Sequence, residues 1–399
     1  MTSITWNGAI WLRADGPLRA PKRSAPAVGL DTAPNCTHRY DSAMGTDLLT
    51  RTAELINIAS ESHHEQEIVK HFEAQLRAIP WLTVDRVGDN LVARTDLNRE
   101  HRLLIGGHSD TVPANANETA VIDGDVVRGL GASDMKGGLA VLTTLAETVE
   151  TPAVDVTYLI YACEEVAARF NGLNELFAQR PELVQADVAL LGEPTSAMLE
   201  AGCQGTMRFA ITLKGERAHT ARAWMGRNAI HRLGGLLEAM EAYEPRQPMI
   251  DGCRYHEGLQ AVFVEGGVAG NVVPDAVTIT INHRYAPDRT AAEAEAHVRE
   301  VVAPWMEEGD EMVQTDLSEA AAPGLDHPLF ASMIARNDLE VKAKLGWTDV
   351  AFFASRGIPA ANFGPADAHL AHTQGEWVSR DSLDRAYAVL HDLLTNGVD

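Results

Sequence analysis

Apolar positions set the first divisions of the chain. From Asp47 the spacing predicts a helix carrying Leu48, Leu49, Ala53 and Ile56, and after a polar break a second over Glu65 to Ile79, with Ile68, Phe72, Leu76 and Ile79 on one face. Short strands are expected at Leu82-Thr83-Val84 and Leu91-Val92-Ala93. Three apolar runs then end abruptly in polar groups. Arg102-Leu103-Leu104-Ile105 leads through two glycines to His108, Val156 to Ala162 leads into Glu164-Glu165, and Val188 to Leu191 leads into Gly192-Glu193. Uninterrupted apolar strands of this kind are those of a parallel sheet covered on both faces, and all its strand ends can share one edge. Gly137 to Val149 reads as a helix whose first turn follows Asp134, so free backbone N–H groups are expected beside that carboxylate.

Between about Gln204 and Leu317 the texture changes. Thr206 to Lys214 alternates as a strand, Asn228 to Tyr243 is helical, Gln260 to Glu265 and Val277 to Tyr285 are strands, Ala292 to Glu308 is helical and Met312 to Leu317 is a last strand. That β-α-β-β-α-β order is the split βαβ arrangement of a small α+β unit. An α/β texture returns with a helix near Leu329 to Asn337 and the strand Ala360-Ala361-Asn362-Phe363, which precedes the histidines His369 and His372. The expected fold is therefore α/β. A mostly parallel sheet flanked by helices spans residues 44–203 and 318–399, and residues 204–317 form an inserted ferredoxin-like domain. Residues 1–43, rich in Pro, Ala and Arg without periodicity, read as a disordered extension, with Met44 as a plausible start.

Composition narrows the function. With 45% hydrophobic and 22% charged residues the 399-residue chain is an ordinary globular protein, long enough for two cores. Its formal charge of -23 excludes a nucleic-acid partner, which needs a basic face, and disfavours an anionic membrane surface. A small anionic substrate stays open, because bound cations and a few arginines can invert the local potential. Four scattered cysteines, no apolar run near the ~18 residues of a membrane span, and no secretory leader point to the cytoplasm.

A site for two divalent metals needs a carboxylate able to bridge them and roughly two further ligands on each. His108 and His372 can supply imidazoles, and Asp134, Glu165 and Glu193 carboxylates, although His369 competes with His372 for the last place. Taken singly, each has a plainer reading: a loop histidine, a solvated Glu-Glu pair, a turn glutamate. Nitrogen and oxygen donors together suit Zn²⁺ best, with Co²⁺ or Mn²⁺ as substitutes. Glu164 is then left beside the ligands, placed to take a proton from water and return it to a leaving amine. Asp110, two residues past His108, falls on the same side of an extended chain and can hold the ring's other nitrogen.

At these residues the chain resembles the dinuclear zinc aminoacylase and carboxypeptidase family of metallohydrolases. The motifs that carry the resemblance are Gly107-His108-Ser109-Asp110-Thr111-Val112-Pro113, Gly129 to Gly138, Cys163-Glu164-Glu165, Gly192-Glu193-Pro194-Thr195 and Ala371-His372 with Glu376. The resemblance implies His108, Asp134, Glu165, Glu193 and His372 as ligands of two metal ions, with Asp134 bridging. It implies Glu164 as general base and Asp110 as the group orienting His108. It also implies that the inserted domain is a dimerisation lid in a homodimer, with His219 reaching the partner's active site, and Asn271 and Arg284 offering donors to substrate carboxylates. The activity implied is hydrolysis of a small anionic N-acyl amino acid, foremost N-succinyl-diaminopimelate, with acetylornithine deacetylation or broader aminoacylase or dipeptidase activity as rivals. A non-catalytic metal-binding protein on the same scaffold is the alternative of another class.

Overall fold

A computed structural model describes residues 47–398, so the expectations for residues 1–43 and for Met44 lie outside the described residues. The largest sheet has eight strands in the order Thr83–Val87, Asn90–Arg94, Asp155–Tyr161, Arg102–His108, Val188–Leu191, Ala360–Asn362, Leu199–Ala201 and Val341–Ala343. Four of its seven pairings are parallel, among them both pairings of the strand that ends at His108. Every residue of Asp155–Tyr161 is buried, as a central strand covered on both faces requires.

The helix Lys136–Thr148 lies over one face and shares its core with the terminal helix Arg380–Asn396, through Leu139, Leu142 and Leu145 on one side and Leu383, Val389, Leu390 and Leu393 on the other. Close approach governs where the first of these helices begins. A Cβ at Gly138 would stand 2.3 Å from the carbonyl oxygen of Gly192, so only glycine lets the helix start against the loop carrying Glu193.

Gly205–Lys214, Gly258–Gly266, Ala276–Tyr285 and Glu311–Ser318 form a second, four-stranded sheet, antiparallel throughout. Its order, with Ala276–Tyr285 and Gly205–Lys214 in the middle, is that of a split βαβ unit. The alternation read from the sequence is what builds it. Met207, Phe209, Ile211 and Leu213 face the helices Ala229–Glu241 and Ala291–Val302, meeting Leu233, Leu236, Val298 and Val302 in one core. Thr290 and Glu293 close a capping box at the start of the second helix.

Some elements were too short or too polar for periodicity to reveal. The helix Gly172–Gln179, the edge strand Val341–Ala343 and a three-stranded sheet of Val121–Asp123, Val126–Arg128 and Trp377–Ser379 are among them. That small sheet carries the chain after His372 back beside the loop of Asp134. Among the described residues, no helix is long and apolar enough to cross a membrane.

Candidate metal centre

Three strand ends and one long-range return converge on a single cluster. His108, buried at the end of its strand, lies with Nε2 3.0 Å from Asp134 Oδ1. Glu165 Oε1 lies 2.9 Å from His372 Nε2, which in turn stands 3.7 Å from Asp134 Oδ2. Ligand atoms of His108, Asp134 and Glu165 all fall within 4.8 Å of one another. Glu193 joins from the third strand, its Oε1 3.9 Å from His108 Nε2 and buried without a hydrogen-bond partner. His369 is exposed and bonded to Asp367, while His372 is the histidine at the cluster.

Each ligand candidate is fixed by a neighbour. Asp134 sits in the turn before Lys136, and its N–H donates to Glu376 Oε1 at 2.9 Å. The N–H groups of Ser133 and Gly131 donate to the same carboxylate at 2.8 and 3.1 Å. The Asp134-Met135 peptide is cis. Lys136, inside the first turn of the helix, is buried with Nζ donating to Ile58 O, and burial draws its ammonium down to about 7. Asp110 meets His108 through both its backbone and its side chain. His108 Nδ1 lies 3.0 Å from the Asp110 backbone carbonyl and 3.5 Å from its carboxylate, so the carbonyl makes the shorter contact. The carboxylate also accepts the backbone N–H groups of Glu164 at 3.0 Å and Glu165 at 3.1 Å, together with the Ser62 hydroxyl at 2.7 Å.

Charge is the dominant feature of the cluster. Burial and the nearby charge of Asp134 push Glu193 up to about 8, and burial with the charge of Asp349 pushes Glu164 well above the usual carboxylate range. Glu165 rises too, chiefly through burial. Burial would lower His108, yet Asp110 and Asp134 outweigh it and hold the imidazole well above its ordinary value. Asp349 is itself buried and raised to about 6, with Oδ2 accepting Asn171 Nδ2 at 2.7 Å. Six carboxylates around two imidazoles are a surplus of negative charge that side chains alone do not neutralise. An orphaned Glu193 oxygen and a mixed nitrogen and oxygen donor set fit divalent cations.

His219, Asn271 and Arg284 stand elsewhere. His219 is exposed, its Nδ1 accepting the N–H of Ala221, and the N–H of Thr220 donates to Asn271 O, so the first two are neighbours. Arg284 lies on the four-stranded sheet opposite Thr206, partly buried. Among the described residues no hydrogen bond or ion pair joins any of the three to the cluster. Ser62, Asn171, Asp349 and Glu376 hold the cluster from positions that no local hydrophobic pattern marks. Only Glu376 had a signal, its nearness to His372.

Comparison with known proteins agrees with this geometry. The profile of peptidase family M20/M25/M40 matches residues 104–396. A putative succinyl-diaminopimelate desuccinylase of Mycobacterium tuberculosis is 46% identical over 351 residues, 87% of this chain and 98% of its own. A succinyl-diaminopimelate desuccinylase of Corynebacterium glutamicum is 40% identical, over 88% and 96% of the two chains. A tripeptidase from Staphylococcus aureus has the same fold, with a TM-score of 0.71 at 20% identity over 87% of this chain and 97% of its own. An M20 metallo-carboxypeptidase from Sulfolobus solfataricus gives 0.67 at 15% identity, over 88% and 99%. With the matched span running from the strand that delivers His108 to the terminal helix, the chain belongs to peptidase family M20/M25/M40.

Proposed function

We propose that the protein is a dinuclear metal-dependent amide hydrolase that cleaves N-succinyl-diaminopimelate to succinate and free diaminopimelate. The reading rests above all on one observation: Glu164 is partly buried beside the cluster, and among the described residues its side chain makes no hydrogen bond to the ligand candidates. Similarity to two desuccinylases over nearly their whole lengths supports the choice of substrate.

His108, Asp134, Glu165, Glu193 and His372 would hold the two ions, with Asp134 shared, zinc preferred and cobalt or manganese able to replace it. When bound, such ions polarise the amide carbonyl and acidify water. Glu164 takes a proton from the attacking water and gives it to the departing nitrogen, so that amide and water become carboxylate and amine. Glu376 holds the Asp134 loop through three backbone N–H groups, and Asp110 holds the Glu164-Glu165 loop through two. Asn271 and Arg284 would receive substrate carboxylates, and His219 would act on the carbonyl in the active site of a second copy.

A homodimer through the inserted domain, residues 204–317, is supported by the edge strand Gly258–Gly266. It exposes Phe263 at 70% together with Val262 and Val264, an unpaired edge suited to a second copy. A cytoplasmic setting fits Cys163, Cys203 and Cys253, which are all free and buried. Turnover of N-succinyl-diaminopimelate against N-acetylornithine, with metal analysis of the same sample, tests the reading. Preference for the succinylated compound with about two metal equivalents is expected; preference for acetylornithine overturns it.

A further inference from the structure

Most arginines of this acidic chain are held by carboxylates, as Arg86 is by Glu73 and Asp89 and Arg232 is by Asp310. Two of the remaining described arginines lie over aromatic rings. Arg169 lies over the Phe170 ring at 4.5 Å, and Arg356 lies over the Phe177 ring at 3.9 Å. Among the described residues neither forms an ion pair with a carboxylate. Arg356 Nη1 is further fixed by Phe352 O at 2.7 Å and Ser355 Oγ at 3.2 Å, which leaves the rest of its donor fork free. A guanidinium positioned by a ring face and a carbonyl keeps its full charge and a set direction, the condition in which it best receives an external carboxylate.

Both line one cavity of about 350 Å³, together with Asn174, Ser318, Ser355 and Trp347. Glu319 is the sole acidic residue of the lining, so the two arginines leave it with a net positive charge. The walls come from three places: the segment that follows Glu165, the end of the strand Glu311–Ser318, and the helix Val350–Ala354. Ligand sites favour such junctions between layers. The first and third walls are tied together by the Asn171 to Asp349 hydrogen bond, and Asp349 is the buried acid whose charge bears on Glu164. Arg169 is four residues past Glu165, and Trp347 two before Asp349. N-succinyl-diaminopimelate carries three carboxylates, one on the acyl group and two on the amino acid, so a seat is needed for the one farthest from the amide besides those Asn271 and Arg284 would receive.

We propose that Arg169 and Arg356 form a carboxylate-binding subsite that receives the far end of a dianionic N-acyl amino acid, and so selects substrates with a second carboxylate remote from the scissile amide. The inference rests on the proposed amide hydrolysis and adds the residues that set its specificity.

The test compares N-succinyl-diaminopimelate with Nα-succinyl-lysine, the same skeleton without the distal carboxylate, using the metal-loaded full chain. Arg169→Gln and Arg356→Gln are expected each to raise KM about tenfold for the first substrate and far less for the second, as loss of a charge-assisted contact to the missing group requires. Arg356→Lys should recover part of the loss, because a point charge remains. Melting temperature and metal content, measured alongside, separate this from damage to the fold. Equal changes on both substrates, or none on either, overturn the subsite and leave the substrate reading standing. If the unaltered protein does not hydrolyse N-succinyl-diaminopimelate, the substrate reading fails and the subsite with it.

Discussion

The Asp110 carboxylate accepts the backbone N–H of Glu164 at 3.0 Å, so the proposed base is held in place by a residue that follows the first histidine of the cluster. Glu165 is held by the same group at 3.1 Å, which makes Asp110 a joint between two strand ends. Replacing Asp110 with Ala frees both backbone groups and lets the Glu164-Glu165 loop drift. Displacements of about 1 Å at a reacting group cost on the order of 10²-fold in rate. We expect Asp110→Ala to lower kcat by about that factor. The fall in kcat should exceed the loss of bound metal, as read by steady-state kinetics beside elemental analysis.

The same residue shapes acid stability. Burial would raise Asp110, but His108, Ser62 and the N–H of Glu164 outweigh it and bring the carboxyl from 3.8 down to about 2. A folded-state value below the unfolded one stabilises the fold above the unfolded value, and that stability is lost as pH falls toward the folded value. The difference corresponds to about 2 kcal/mol, present above pH ~4 and lost by pH ~2. Asp110→Asn should therefore show a shallower decline in urea-unfolding free energy between pH 5 and 2 than the unaltered protein. Parallel curves would refute the assignment.

Strand ends carrying His108, Glu165 and Glu193 could be read from the sequence because an apolar run that stops at a polar group is a local signal. The second sheet was legible for a similar reason, since Met207, Phe209, Ile211 and Leu213 alternate with outward-facing residues. Groups that hold the cluster were not legible in this way. Ser62 meets Asp110 across 48 positions, Asn171 meets Asp349 across 178, and Glu376 reaches the Asp134 loop only through the small sheet that Trp377–Ser379 completes. Such contacts depend on tertiary return of the chain. Asp110 shows a further limit, since its spacing from His108 placed the carboxylate near the ring, 3.5 Å from Nδ1, but gave no sign that its backbone carbonyl comes closer, at 3.0 Å.

Glu164 carries a conflict between stability and activity. Its partly buried carboxyl is raised mainly by desolvation, and then by the charge of Asp349, so ionising it in the metal-free fold is unfavourable. Glu164→Gln removes the ionisable group while keeping nearly the same shape. Turnover should fall by about 10²- to 10⁴-fold, the usual contribution of a positioned base. The chelator-treated variant should melt at a higher temperature than the chelator-treated parent, since sites built for chemistry commonly sacrifice stability. A lower melting temperature would count against electrostatic strain at this position.

His219 is exposed and, among the described residues, has no bond to the cluster of its own subunit, which gives its proposed role across a dimer interface a decisive test. His219→Ala and Glu164→Gln should each be nearly inactive alone. When the two are unfolded, mixed and refolded together, half of the dimers are mixed under random pairing. In each of these, one site combines an intact Glu164 with an intact His219 from the other copy. Activity should then return to about a quarter of that of the unaltered protein, because one site in two is complete in half of the dimers. If His219 served its own subunit, no pairing would assemble a complete site and the mixture would stay inactive. A Phe263→Asp substitution, which puts a charge on the exposed edge strand, should abolish the recovery and shift the protein to monomer in sedimentation.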